Sequence, residues 1–72
     1  MLADEIVLIA RSAMQAGKYV AISTDRVEQA QIREIEHVGS GLIRFRYNLP
    51  NDLYMHESRI IQLEVRPAEW DQ

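Results

Sequence analysis

The chain contains no cysteine. That removes disulfide staples and cysteine-held zinc as sources of stability, and it suits a reducing compartment. Long apolar stretches are missing too. The longest uninterrupted run, Ile6 to Ala10, falls far short of the roughly 20 residues a helix needs to cross a bilayer, so no membrane role is expected. Basic residues are in the minority, 8 Lys and Arg against 11 Asp and Glu, for a net charge of −3. A protein that lives by nonspecific phosphate contacts carries the opposite balance. Only a local gathering of arginines on one face could offset this. The opening residues Met1-Leu2-Ala3-Asp4-Glu5 are acidic where a signal peptide is basic, which makes a cytoplasmic setting the expectation.

The constellations of an enzyme are also absent. No nucleophile stands with a base and an oxyanion loop, and no convincing carboxylate pair is present. Ser23, Ser40 and Ser58 read as turn or strand-end residues. Gly39-Ser40-Gly41 is too short to cradle a phosphate and does not open a helix. His37 and His56 lack a third ligand at a recognisable spacing, so no metal site is expected. Nothing calls for a cofactor. A non-enzymatic role is expected.

What the chain does have is one domain's worth of globular sequence. Its 72 residues are 47% hydrophobic and 26% charged, so residues 1–72 read as a single folded unit without repeats or linkers. A domain of this size buries only about 60% of its unfolded surface. Small domains without disulfides or metals often gain stability by packing against a copy of themselves, which makes a homo-oligomer the physical expectation.

Residues 2–16 have the period of a helix. Leu2, Ile6, Ile9, Ala13 and Ala16 share a broad face with Ala3, Val7, Ala10 and Met14, opposite Asp4, Glu5, Arg11, Ser12 and Gln15. Asp4 and Glu5 suit the positive end of the helix dipole, and Gly17 suits a left-handed stop. Leu8 alone breaks the polar side. From Lys18 the period changes to two, giving strands over 18–24, 29–38, 41–47, 53–56 and 60–66. The second strand is the ambiguous one. Ile32, Ile35 and Val38 are spaced by three, which fits either a second helix or a bent strand; the strand-like neighbours on both sides favour the bend. Ile43, Phe45 and Tyr47 alternate with Leu42, Arg44 and Arg46, and Asn48 to Asp52 is the strongest turn signal. Glu57-Ser58-Arg59 reads as a tight bend, Pro67 ends the last strand, and Trp70 lies in a polar tail. The fold class is therefore mainly β with one N-terminal helix, its five short strands forming a strongly bent sheet.

A helix, three strands with a bend in the second, a turn and two short strands form the layout of the Sm-like fold, an open five-stranded SH3-like barrel. Gln31-Ile32-Arg33-Glu34-Ile35-Glu36-His37-Val38 resembles the second strand of the Hfq-like bacterial RNA chaperones. Their pattern is Gln-Ile, two variable residues, an apolar residue, Asp, Gln and an aromatic. Tyr54-Met55-His56 resembles the family's Tyr-Lys-His just before the last strand. The resemblance spans roughly Ala3 to Val65 and implies a ring-shaped homo-oligomer that binds single-stranded RNA. It also implies that Glu36 supports the site and the subunit interface. The departures are specific. His37 stands at the Gln position, Val38 replaces the stacking aromatic, Met55 replaces the uridine-contacting Lys, and the turn Thr24-Asp25-Arg26-Val27-Glu28 lacks the usual Gly. A divergent member, of the kind carried by phages or mobile elements, fits this pattern.

Two functional expectations follow. One is an RNA-binding ring, with His37, Tyr54, His56 and Arg59 as the contacting residues; Arg59 supplies a guanidinium that can grip phosphate or stack on a base. The other is a homo-oligomeric protein-interaction module with no nucleic-acid role, in which edge strands, Leu8, Glu36 and Trp70 meet copies or a protein partner. Arg44 and Arg46 share a strand face, either as a basic strip or neutralised by Glu34, Glu36 or Glu64. Phe45 reads as core, and Tyr47 and Tyr54 as a cross-strand pair.

Overall fold

Helix α1 (Ala3–Gln15) forms where the apolar residues repeat at helical spacing. Its first turn carries Asp4 and Glu5, and the Glu5 side chain accepts a hydrogen bond from the Leu2 N–H at 3.1 Å. At the far end Gly17 takes φ +80°, with Gly17 N–H donating to Met14 O and Lys18 N–H to Ala13 O. This pair of bonds is the Schellman stop that a glycine makes possible. The computed structural model describes residues 2–47 and 52–67, and Trp70 lies outside them.

Six strands follow: β1 (Tyr19–Thr24), β2 (Ala30–Gln31), β3 (Glu34–Gly39), β4 (Leu42–Arg46), β5 (Asp52–His56) and β6 (Ile60–Arg66), with a short 3-10 helix η1 (Glu57–Arg59) between the last two. They form two antiparallel sheets, in the orders β2-β1-β6 and β3-β4-β5. The expected single five-stranded sheet is thus divided, and hydrogen bonding among the described residues does not close it into a barrel.

The division falls within the ambiguous segment. Ile32 N–H donates to Val20 O in the first sheet, whereas Arg33 N–H donates to Arg46 O in the second, at 2.9 and 2.8 Å. The chain changes sheets between two consecutive residues. That explains the spacing of three. Ile32 and Ile35 both reach the core, at 2% and 3% exposure, because the bend resets the alternation between them. Residues 30–38 form no second helix. Val38 is half exposed because the register passes from His37↔Ile43 to Gly39↔Leu42 and leaves it bulged out.

Between the sheets and α1 lies one core. Phe45, Ile6, Ile22, Ile43, Met55 and Val20 are its largest fully buried side chains. The helix seats on it through Ala3, Ile6, Val7, Ala10 and Ala13. Leu2, Ile9 and Ala16, expected on the buried side, are exposed instead, Leu2 and Ala16 as the residues that cap the two ends of the helix. Tyr47 and Tyr54 also depart from expectation. Tyr54 lies opposite Arg44 on the outer face, while Tyr47 stacks obliquely on Phe45 at 6.4 Å, so they are not a cross-strand pair.

Candidate functional site

Three polar elements meet where the β3–β4 turn approaches η1. The turn Gly39-Ser40-Gly41 has positive φ at all three residues, which folds β4 directly back along β3. Glu57 N–H donates to Gly41 O at 2.8 Å, tying η1 to that turn. His37 arrives from β3. Its Nε2 accepts a hydrogen bond from Gly41 N–H at 3.3 Å, which leaves Nδ1 to donate to Asp4 Oδ1 at 2.6 Å. His56 comes from the end of β5 and caps η1, its Nδ1 accepting from Ser58 N–H at 3.2 Å. Its other ring nitrogen lies so near Gly41 that a methyl group there would sit 2.8 Å away. His37 and His56 thus both approach Gly41, one through a hydrogen bond and the other through close packing.

The remaining candidates divide. Tyr54, two residues before His56, shares its face of β5 and is exposed. Arg59 points elsewhere: its guanidinium forks onto the Asp25 carboxylate of the β1–β2 turn, with Nη2–Oδ2 at 2.9 Å and Nε–Oδ2 at 3.0 Å. It does not join the histidines. Met55, at the place of the family's lysine, is buried in the core. Leu8 stands out from the helix at 68% exposure.

The outer face of the second sheet is neutralised. Arg44 Nε donates to Glu36 Oε1 at 2.9 Å, and its Nη1 lies 3.4 Å from Glu34 and 3.3 Å from Asp52. Arg46 Nε reaches Asp52 Oδ1 at 3.0 Å, and its Nη1 lies 3.6 Å from Glu34. Glu64 pairs with Arg66 instead. The hydrogen bond Arg44 donates to Glu36 holds the Arg44 proton more tightly than usual, and the one from Arg46 draws the Asp52 carboxyl below its ordinary value. With Glu34, Glu36 and Asp52 facing Arg44 and Arg46, the strip is not basic. Glu36 is thereby committed within its own sheet.

Sequence reading missed the acidic partners, because Asp4–His37 and Asp25–Arg59 join residues far apart in the chain. It also missed a shallow groove of about 450 Å³ lined by residues of the β1–β2 turn and β2 together with Arg33 and Tyr47. Among the described residues no group of three or more His, Asp or Glu is placed to hold a metal ion, and no helix is long and apolar enough to cross a membrane. The fold and the corner define a small, mainly β domain with one N-terminal helix. Compared with known protein families, curated proteins and solved structures, the chain matches none.

Proposed function

We propose that the chain is an Sm-like subunit that joins copies of itself through the outer edges of β5 and β6 and serves as a protein-interaction module. One observation carries this reading. Followed through the bend from β2 into β3, the strands run β6-β1-β2-β3-β4-β5, leaving β6 at one end of the series and β5 at the other. An open edge is a template for pairing, and β6 also carries Ile61 at 69% and Val65 at 44% exposure. In so small a domain, covering that edge with a second copy stabilises both. The order of elements, from the N-terminal helix through the bent second strand to two short final strands, supports the Sm-like part of the reading.

A protein partner is favoured over a nucleic acid by the ion pairs. Arg44, Arg46 and Arg59 are all matched to carboxylates, and the chain is anionic overall. Phosphate binding would have to break those pairs. Single-stranded RNA stands as the second reading, favoured by Tyr54 and His56, both exposed on one face of β5.

Mass in solution, measured by light scattering over a range of concentrations, tests the assembly. A multiple of the chain mass is expected; a monomer throughout removes it. Titration with uridine-rich and adenine-rich oligonucleotides at two salt concentrations separates the readings. Absence of binding at low salt is expected. Salt-sensitive binding lost in His56→Ala or Tyr54→Ala would establish RNA instead.

A further inference from the structure

The outer face of α1 has no partner within the chain. Leu2 is 62%, Leu8 68% and Ile9 43% exposed. Helix residues three or four apart are neighbours, so all three side chains surround Glu5. A carboxylate ringed by exposed apolar groups is the centre of this surface.

Its charge is mainly negative. Asp4 and Glu5 occupy the first turn, and η1 brings Glu57 alongside, where Oε1 accepts from Ala3 N–H at 2.6 Å. None of the three carboxylates pairs with a Lys or Arg among the described residues; Asp4 meets His37, and Glu5 meets the Leu2 N–H. Arg11, the only cation on the helix, is exposed but tied to the β3 backbone, its Nε donating to Ile35 O at 3.1 Å. The exposed surface is thus apolar and anionic together.

That combination narrows the occupant. Nucleic acid and anionic lipid headgroups would be repelled. A second copy meeting this face through a two-fold axis would set like carboxylates together. We infer that the outer face of α1 docks an amphipathic segment of a partner protein, with Lys or Arg placed among apolar residues so that a cation meets Glu5 while its neighbours cover Leu2, Leu8 and Ile9. This rests on the reading of the chain as a protein-interaction module but not on assembly through β5 and β6.

The test is an amide-shift titration of the full chain with two synthetic helical peptides. They share the same leucines; one carries Lys and the other Glu between them. The Lys peptide is expected to shift amides from Leu2 to Ser12, to bind more weakly as salt rises, and to lose about tenfold in affinity with Leu8→Ser or Glu5→Gln. Equal binding of the Glu peptide, shifts confined to the sheets, or no shift at low salt would overturn the inference. So would a change in solution mass on Leu8→Ser, which would give the face to contacts between copies. A monomer that still binds the Lys peptide on α1 removes the edge assembly and leaves this inference standing.

Discussion

Gly41 and His56 are packed so closely that there is no room for a side chain on the first beside the ring of the second. A methyl group at Gly41 would lie 2.8 Å from His56 Nε2 and 3.2 Å from its Cδ2, at a residue whose φ is +78°. Gly17 has almost the same φ, +80°, but a methyl group there would meet nothing within 4 Å. The two glycines separate backbone strain from contact. Gly17→Ala is expected to cost about 1–2 kcal/mol from the left-handed backbone alone. Gly41→Ala is expected to cost more, because the displaced imidazole also releases Ser58 N–H. In the His56→Ala background the gap between the two substitutions is expected to narrow, leaving only the 3.3 Å approach to the Glu57 side chain at Gly41. Urea denaturation of the two glycine variants, of His56→Ala and of the two doubles checks this, and equal costs in the wild-type background would refute it.

Gln29 presents the opposite case. It holds φ +51° without being glycine, and its N–H donates to Ser23 Oγ at 2.9 Å. The neighbouring turn is held by Thr24 Oγ1, which accepts from Arg26 N–H at 3.0 Å and Val27 N–H at 3.1 Å. Hydroxyl groups thus hold this turn without a glycine. Gln29→Gly keeps the backbone bonds and removes the steric conflict, so stability is expected to rise by about 1 kcal/mol. A lower melting temperature for that variant would show that the Gln29 side chain contributes more than its backbone costs.

Asp52 ties acid sensitivity to the second sheet. The hydrogen bond from Arg46, opposed by partial desolvation and aided by the charges of Arg46 and Arg44, lowers its carboxyl below the ordinary 3.8. A group whose value is depressed on folding contributes stability that is fully present above the unfolded value and is lost as pH falls through the folded one. The Asp52 contribution should therefore hold at neutral pH and fade below about pH 4. Asp52→Asn is expected to flatten the acid limb of the stability curve over that range. A curve unchanged by Asp52→Asn would place the acid sensitivity in other groups.

Local periodicity made most elements readable in advance. The helix announced itself through Ile6, Ala10 and Ala13, and β4 through the alternation of Ile43 and Phe45 with Arg44. The break at Ile32 and Arg33 was only half visible. Its spacing of three signalled an irregularity, but whether that meant a helix or a change of sheet depended on which backbone lay alongside. The exposure of Ile9 was hidden for a similar reason, since it depends on which elements lie beneath the helix. In the corner, the residue types of His37 and His56 were legible, but the turn at Gly41 that both approach was read only as a reversal. The commitment of Arg59 to Asp25, 34 residues away in the chain, had no local signature.

The edge of β6 carries the remaining prediction. Ile61 and Val65 are exposed in the single chain, so replacing either with Asp should alter the stability of an isolated subunit by no more than about 0.5 kcal/mol. Against a second copy the same substitution buries a charge with no partner, at about 1–3 kcal/mol or more. The two costs act on different equilibria. Ile61→Asp and Val65→Asp are therefore expected to leave the circular dichroism spectrum intact while raising the concentration needed for assembly at least about tenfold. Leu8→Ser serves as the control, because Leu8 lies on the helix rather than on the strand edge. Light scattering over a dilution series reads the difference. If both Asp variants assemble as the parent does, the copies meet elsewhere; if they unfold, the edge belongs to the core of the single chain.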